Sequence, residues 1–236
     1  MKLKKVFSFP LFLFLLTGCS AQANLIVTTN QKVEENIEVY NSFENLKDSY
    51  ASIEAAKENY ILSYQDFFTN SKYKATYTTK DNLLKAKIKG FHNNLRTISS
   101  SNLYLMLFEP ILLNNDQYVL SCKEDAIDLF EDTLGVGADS SYFLDEFILN
   151  IQFHNVVENN NSDSYDARTN TYTWIITKDN LMRDIEFTIT NEKRYDIIMA
   201  YLFKKYIDYI LLGVLLIVIV IFGILIVRKS KRENAI

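Results

Sequence analysis

The clearest period of two in this chain reads Phe147-Ile148-Leu149-Asn150-Ile151-Gln152-Phe153-His154. Successive side chains of a β-strand point to opposite faces of a sheet, so this alternation is typical of a strand with one buried face. The run from Val33 to Tyr40 alternates in the same way, with Glu35 as the charged member of its mostly apolar set. These two runs predict a sheet that covers an apolar core.

Other segments have the same strand character and are separated by turn-forming residues. Strands are predicted at Leu25 to Thr29, Lys72 to Thr79, Leu83 to Phe91, Thr171 to Thr177 and Ile185 to Thr190, with a short strand or turn at Tyr118 to Cys122. The loops Asn30-Gln31-Lys32 and Lys80-Asp81-Asn82 are short enough to join the strands beside them as hairpins. We therefore expect an antiparallel sheet or sheets.

Helical patterns occur in three places. Apolar side chains recur in steps of three and four from Phe43 to Phe67, which predicts one amphipathic helix of about 25 residues. Such a helix most simply covers a sheet, although a coiled coil with a partner would use the same pattern. Shorter helices are predicted within Leu95 to Phe108 and from Glu124 to Leu134, the latter with Ser121 in a capping box. The predicted fold class is α+β, with antiparallel strands packed against one long helix.

An uncharged run of 19 residues, Tyr209 to Val227, follows the last predicted strand. It is long enough to cross the hydrocarbon core of a bilayer, which is about 30 Å thick. Four basic residues follow between positions 228 and 232, and such a cluster marks the cytoplasmic side of a span. We predict a transmembrane helix over residues 206–228 and a cytoplasmic basic tail over residues 229–236.

The N-terminus has three basic residues, then the apolar run Val6 to Leu16, then Thr17-Gly18-Cys19. This order is typical of a secretory signal, and the apolar run is too short to span a bilayer. The ending Leu16-Thr17-Gly18-Cys19 resembles the lipobox of bacterial lipoproteins. That resemblance implies a signal peptide over residues 1–18, a diacylglycerol lipid on Cys19, and a mature chain held at the outer face of the cell membrane.

The segment between the two anchors, residues 19–205, is predicted to form one extracytoplasmic domain. It has no Pro- or Gly-rich linker, and its 18 basic and 27 acidic residues make it net acidic. A net negative charge disfavours nucleic acid as a partner. With Cys19 carrying lipid, Cys122 has no cysteine partner, so a small half-buried residue is favoured over a catalytic thiol.

Catalytic and metal-binding patterns are not found in the sequence. Neither His92 nor His154 has a metal-ligand neighbour at strand or helix spacing, and no phosphate loop or nucleophile elbow occurs. The polar stretch from Asn159 to Asn170 contains carboxylates, but turn formation explains it better than a calcium site, because the EF-hand spacing is absent. We expect no enzyme activity and no cofactor.

Five lysines fall on one face of the predicted hairpin that begins at Lys72. They are Lys72, Lys74, Lys85, Lys87 and Lys89, and we call them the lysine surface. In an acidic domain such a set is either a solvated face that discourages aggregation at a sheet edge or a contact for anionic lipid head groups. The second interpretation makes the lysine surface a candidate binding site for an anionic lipid or glycolipid.

The segment around the single tryptophan carries a family resemblance. It runs through Phe147 to Phe153, Val156-Val157-Glu158-Asn159-Asn160, and Asn170 to Trp174. This order is similar to the LppM-type lipoprotein domain family, in which a strand, a Pro-Gly-x-Val-x-x-Asn stretch and a Thr-x-Thr-Trp strand follow one another. His154-Asn155 replaces the Pro-Gly pair here. The resemblance implies an antiparallel α+β domain at the bacterial surface, associated with envelope lipids or glycolipids, with Trp174 in the core.

These expectations describe a non-enzymatic, doubly anchored surface lipoprotein whose partner is an envelope lipid or glycolipid. The alternative is a structural or accessory subunit of an integral membrane complex, which would dock on a membrane-protein partner through the span and the long helix. Only three residues separate Cys19 from the start of the family-type strand at Ala23, and that length of chain reaches at most about 14 Å. The domain is therefore expected to begin close to the bilayer.

Overall fold

The computed structural model describes residues 19–42, 74–80, 83–100, 107–130 and 144–233, and the single positions 52, 55 and 58. The predicted signal peptide lies outside these residues, as does the predicted long helix from Phe43 to Phe67 apart from those three positions. The chain forms two compact units, one ending at Glu192 and one beginning at Lys193.

Strands and one long helix make up most of the described residues. The strands are β1 Cys19–Val27, β2 Val33–Ser42, β3 Lys74–Lys80, β4 Leu83–His92, β5 Leu112–Asn114, β6 Gln117–Leu120, β7 Leu144–Phe153, β8 Asn155–Glu158, β9 Ser164–Asp166, β10 Thr171–Ile176 and β11 Ile185–Lys193. The helix is α1 Tyr195–Glu233, and short 3₁₀ helices occupy Leu95–Ser100, Glu124–Leu129 and Lys178–Asn180. The predicted α+β class is confirmed.

The larger sheet has seven strands in the order β3-β4-β2-β1-β7-β10-β9. Both predicted hairpins are present, since β1 pairs with β2 and β3 pairs with β4, each antiparallel. β1 and β7 pair in parallel, so the expectation of antiparallel pairing is wrong at this pair. Alternation of side chains does not encode strand direction, and parallel neighbours need a long crossover rather than a tight turn.

The turn between β1 and β2 is a three-residue loop placed one residue earlier than predicted. The Thr28 N–H donates to the Lys32 carbonyl at 2.9 Å, and the Gln31 N–H donates to the Thr28 carbonyl at 2.8 Å. Gln31 has a φ of 60°, the left-handed conformation that closes such loops. The turn therefore holds the Gln31 backbone at the tip of the hairpin.

The two faces of the seven-stranded sheet differ in polarity, as the alternation predicts. The buried face includes Ala23, Leu25, Ile37, Val39, Ala86, Ile88, Leu149, Ile151 and Trp174. On the other face, Asn150 Nδ2 donates to Asn24 Oδ1 at 3.0 Å and Thr173 Oγ1 donates to Asn150 Oδ1 at 2.6 Å. These side-chain bonds across three strands satisfy polar groups in the middle of the sheet.

A second sheet, in the order β5-β6-β11-β8, contributes to the same core. Phe187 of β11 lies between the rings of Phe153 and Trp174, with ring centroids 5.2 and 5.8 Å away. Trp174 is 1% exposed, which confirms its expected place in the core. Aromatic packing of this kind accounts for a large share of the area that a domain buries.

The helix predicted from Glu124 begins without the expected capping box. A β-bridge joins Phe108 to Cys122, and the Lys123 N–H donates to the Leu107 carbonyl at 3.0 Å. These contacts keep the chain extended as far as Lys123, which is the N-cap of a 3₁₀ helix and makes no side-chain cap bond. The prediction of Ser121 as the helix cap is therefore wrong, because the segment around Ser121 pairs with the distant residues 107–109 instead.

Helix α1 runs without a break over 39 residues. It begins at Tyr195, before the uncharged run, and continues through that run. By length and composition alone, its part Tyr195–Leu225 could cross a membrane. The assignment of residues 206–228 to a transmembrane helix stays a prediction.

Candidate binding surfaces

The part of the lysine surface that belongs to β4 lies on the polar face of the larger sheet. Lys74 of β3 is directly opposite Lys89 of β4, and Lys85, Lys87 and Lys89 occupy alternate positions along β4. Lys72 lies outside the described residues, and only the backbone of Lys74 is described. A role for these residues in binding stays a prediction.

One carboxylate on the neighbouring strand holds two of these lysines. Lys85 Nζ donates to Glu38 Oε2 at 2.8 Å, and Lys87 Nζ donates to Glu38 Oε1 at 2.9 Å. Tyr40 Oη donates to Glu38 Oε2 at 2.5 Å, and Lys85 Nζ lies 4.9 Å from the centre of the Tyr40 ring. Part of the positive charge predicted for this face is therefore neutralised within the sheet.

The pKa of Glu38 lies far below its ordinary value. Burial alone would raise the pKa, but the hydrogen bonds from Lys85, Lys87 and Tyr40 outweigh it and lower the pKa from 4.5 to about 2. A carboxyl group with a depressed folded-state pKa stabilises the fold above its unfolded pKa. This contribution is lost as the pH falls towards the folded-state pKa.

We expect Glu38 to account for about 1–2 kcal/mol of unfolding free energy that is lost between about pH 5 and about pH 2, after allowance for solvent screening at its lysine partners. The variant E38Q should lack this part of the pH dependence. Urea unfolding of the full chain in detergent, followed by tryptophan fluorescence, measures it. E158Q removes an exposed carboxylate as a matched control and should keep the wild-type slope, whereas an unchanged slope in E38Q would contradict the assignment.

Of the three lysines on β4, Lys89 is the most exposed. Within the described residues its side chain makes no ion pair, and its cross-strand neighbours are Lys74 and Asn36. An anionic ligand would therefore meet an exposed cation at this position.

Among the described members of the lysine surface, Lys85 lies at the end of the sheet where Cys19 lies. β1 starts at Cys19 itself, earlier than the sequence predicted. Ser20 is opposite Tyr40, and Tyr40 is opposite Lys85. At about 4.8 Å between neighbouring strands, Lys85 lies about 10 Å from Ser20. A lipid on Cys19 would bring this end of the sheet to the bilayer surface.

A cleft of about 630 Å³ lies at the opposite end of β1. It is bordered by the β1–β2 turn, the segment after β4, the β5–β6 turn and β11. Its polar lining includes Gln31, Asn94, Arg96, Asp116, Tyr118 and Asn191. The sequence pattern does not predict this site, because its residues come from four segments that only the fold brings together.

The thiol of Cys122 does not have the properties of a nucleophile. Burial raises its pKa to about 12, and the negative charge of Asp184 adds to the effect. Such a thiol stays protonated at neutral pH, whereas the thiolate is the reactive form. This agrees with the interpretation of Cys122 as a half-buried structural residue.

The polar stretch after β8 uses its side chains for structural bonds. Asp163 forms an ion pair with Arg183 at 2.7 Å, and Asn161 accepts a hydrogen bond from Trp174 Nε1 at 2.9 Å. Among the residues that the structure describes, no group of three or more His, Cys, Asp or Glu could hold a metal ion. The turn interpretation therefore accounts for Asp163 and Asn161.

Comparisons with known proteins give similarities of fold. No protein-family model and no curated protein sequence matches the chain. The chain is similar to the folded domain of the Mycobacterium tuberculosis LppM protein, solved by NMR, with 12% identity and a TM-score of 0.44 over 76% of this chain and 92% of that chain. It is also similar to yeast LTA4 hydrolase in complex with bestatin, with 10% identity and a TM-score of 0.27 over 72% of this chain and 28% of that chain. Neither similarity carries an argument about ligand or activity.

Proposed function

We propose that this protein is a non-enzymatic, membrane-anchored surface lipoprotein that binds an anionic envelope lipid or glycolipid through the lysine surface. The observation that carries the proposal is the strand register that places Lys85 about 10 Å from Ser20, beside the predicted lipid attachment at Cys19. A binding surface at that end of the sheet is within reach of lipid head groups.

The charges on this face favour an anionic ligand. Lys89 is exposed and makes no ion pair with another described residue, and Glu38 alone serves both Lys85 and Lys87. Successive outward positions on a strand are about 7 Å apart, so the three β4 lysines extend about 13 Å from the Cys19 end. A basic side chain that contacts an anionic head group contributes about 1 kcal/mol.

Substitution of Lys89 tests this surface. We expect K89Q to weaken binding of phosphatidylglycerol about fivefold and K89E about thirtyfold, which correspond to loss and reversal of one charge worth about 1 kcal/mol. The measurement is native mass spectrometry of the full chain in mild detergent, titrated with phosphatidylglycerol and with phosphatidylcholine.

The matched control is K178E, which reverses an exposed lysine outside the lysine surface. It should bind phosphatidylglycerol like the wild type, and phosphatidylcholine should bind weakly to all forms. Equal affinities of K89E and K178E would reject the lysine surface as the binding site. A stoichiometric protein partner retained in the wild-type spectra, without lipid, would favour the accessory-subunit alternative.

A further inference from the structure

A row of polar side chains crosses the larger sheet at one level of its strands, and we call it the polar row. In order across the sheet, its members are Lys89 of β4, Asn36 of β2, Asn24 of β1, Asn150 of β7 and Thr173 of β10. At about 4.8 Å between neighbouring strands, the row is about 19 Å long. It meets the lysine surface at Lys89, and its other four members are uncharged.

Hydrogen bonds between side chains hold most of the polar row in place. Thr173 Oγ1 donates to Asn150 Oδ1 at 2.6 Å, and Asn150 Nδ2 donates to Asn24 Oδ1 at 3.0 Å. Gln22 Nε2 donates to the same Asn24 oxygen at 2.9 Å. Asn24 Nδ2 donates only to the backbone carbonyl of Asn36, at 3.5 Å, which is long for a hydrogen bond. The series of side-chain bonds therefore stops before the side chain of Asn36.

The side-chain oxygen of Asn36 is a buried acceptor that lacks a donor. Among the described residues, no group donates a hydrogen bond to Asn36 Oδ1, and the atom is shielded from solvent. A buried acceptor without a donor carries a desolvation penalty, which a ligand that donates to it would remove. The residue as a whole is half-buried, and the second side-chain torsion of asparagine is broad. The amide can therefore turn towards a donor that arrives at the surface.

Lys89 supplies a cation directly across the strands from this acceptor. Residues opposite one another in antiparallel strands have Cβ atoms about 4.5–5.5 Å apart, and Lys89 is opposite Asn36. The Lys89 side chain is exposed and makes no ion pair with another described residue. Lys85 and Lys87 differ, since both bond to Glu38. The lysine surface and the polar row thus meet at one cation and one acceptor, neither of which has a side-chain partner in the described part of the chain.

We propose that the anionic lipid bound at the lysine surface carries a hydroxyl group beside its negative charge, as head groups built on glycerol phosphate or sugar phosphate do. The inference rests on the proposed function and names the class of head group. Lys89 would donate to the anionic oxygen, and the hydroxyl would donate to Asn36 Oδ1. Because a hydroxyl both donates and accepts, it would bond to the Asn36 amide in either orientation. An anionic group alone would leave the Asn36 oxygen without a donor.

Two lipids of equal charge test this inference. Phosphatidylglycerol has two hydroxyls on its three-carbon head group, whereas phosphatidylpropanol has the same number of head-group carbons and neither hydroxyl. We expect the wild type to bind phosphatidylglycerol about fivefold more tightly than phosphatidylpropanol, as for one neutral hydrogen bond. The measurement is native mass spectrometry of the full chain in mild detergent, titrated with each lipid in turn.

Three variants assign the contacts. N36L has no amide and should bind the two lipids equally, whereas K89Q should weaken both by the same factor and keep their ratio. Q152L is the matched control, since it removes a half-buried amide of β7, three strands from β4, and should keep the fivefold ratio. N36L removes an acceptor that is unpaired in the free protein, so it should unfold at no lower a urea concentration than the wild type. That result excludes misfolding as the cause of any lost preference.

The inference and the proposed function fail in different ways. If the wild type binds both lipids equally while K89E weakens both, the hydroxyl contact is overturned and the lysine surface is kept. If K89E and K178E have equal affinities for both lipids, the lysine surface is rejected and the inference with it. A preference for phosphatidylglycerol that persists in N36L would overturn the assignment to Asn36.

Discussion

Replacing His92 by alanine is expected to lower the free energy of unfolding by about 3–5 kcal/mol, the usual cost of removing one partner of a buried ionisable pair. Nε2 of His92 lies 2.5 Å from Oε2 of Glu35, and the two side chains are 4% and 0% exposed. Glu35 faces the core between Val33 and Ile37 of β2. Without the imidazole, the buried Glu35 carboxyl group loses its hydrogen bond to Nε2, which destabilises the fold.

The companion variant E35Q separates charge from hydrogen bonding. Its amide can still hydrogen-bond to the imidazole, so we expect a smaller cost of about 1–2 kcal/mol. Urea unfolding of the full chain in detergent, followed by the fluorescence of the single tryptophan, measures both. E192Q removes an exposed carboxylate and should change the free energy by less than about 0.5 kcal/mol. A cost below about 1 kcal/mol for H92A would show that the pair does not stabilise the fold.

For the Glu35–His92 pair, the sequence predicts the burial of Glu35 but not the identity of its partner. The alternation from Val33 to Tyr40 placed Glu35 on the mostly apolar face of its strand, and the structure confirms that it is buried there. Its partner could not be identified in this way. His92 is brought to β2 by the register that sets Val33 opposite His92, and register between distant strands depends on packing across the sheet rather than on local pattern.

For the lysine surface too, the sequence predicts the face of the strand but not the partner across the sheet. Alternation along β4 correctly placed Lys85 and Lys87 on one face, but the carboxylate that holds them, Glu38, lies 47 positions from Lys85 and 49 from Lys87. In the cleft this limit is greater, since its lining comes from four separate segments that adjoin only in the folded chain. Period and composition report on local structure, whereas both sites depend on which strands become neighbours.

Replacing Trp174 by alanine is expected to lower the free energy of unfolding by about 3–5 kcal/mol, because it would empty one of the largest side-chain volumes of the core. The indole packs on Phe187 at 5.8 Å and on Tyr172 at 6.4 Å between ring centroids. Both sheets contribute to this contact, so the cavity would lie between them. Circular dichroism during urea unfolding of the full chain gives the measurement, since W174A has no tryptophan.

The indole nitrogen also donates a hydrogen bond to Asn161, and the variant W174F tests this bond separately from packing. Phenylalanine keeps an aromatic ring against Phe187 but cannot donate to Asn161 Oδ1, which also accepts from the Glu186 N–H at 3.0 Å. Asn161 Nδ2 donates in turn to the Asp184 carbonyl at 2.7 Å. We expect W174F to cost about 1–2 kcal/mol, for one hydrogen bond and some lost packing.

The variant N161A removes all of the Asn161 side-chain bonds and should therefore cost more than the single indole bond, about 2–3 kcal/mol. N161A should cost more than W174F because the Asn161 side chain makes several bonds. It joins the loop between β8 and β9 to Trp174 of β10 and to the start of β11. A calcium site there would give a different result, because added calcium would stabilise the wild type and not N161A. For each of the two forms, the unfolding curve measured with calcium should coincide with the curve measured with chelator. A calcium-dependent shift of the wild-type curve would contradict the structural role of Asn161.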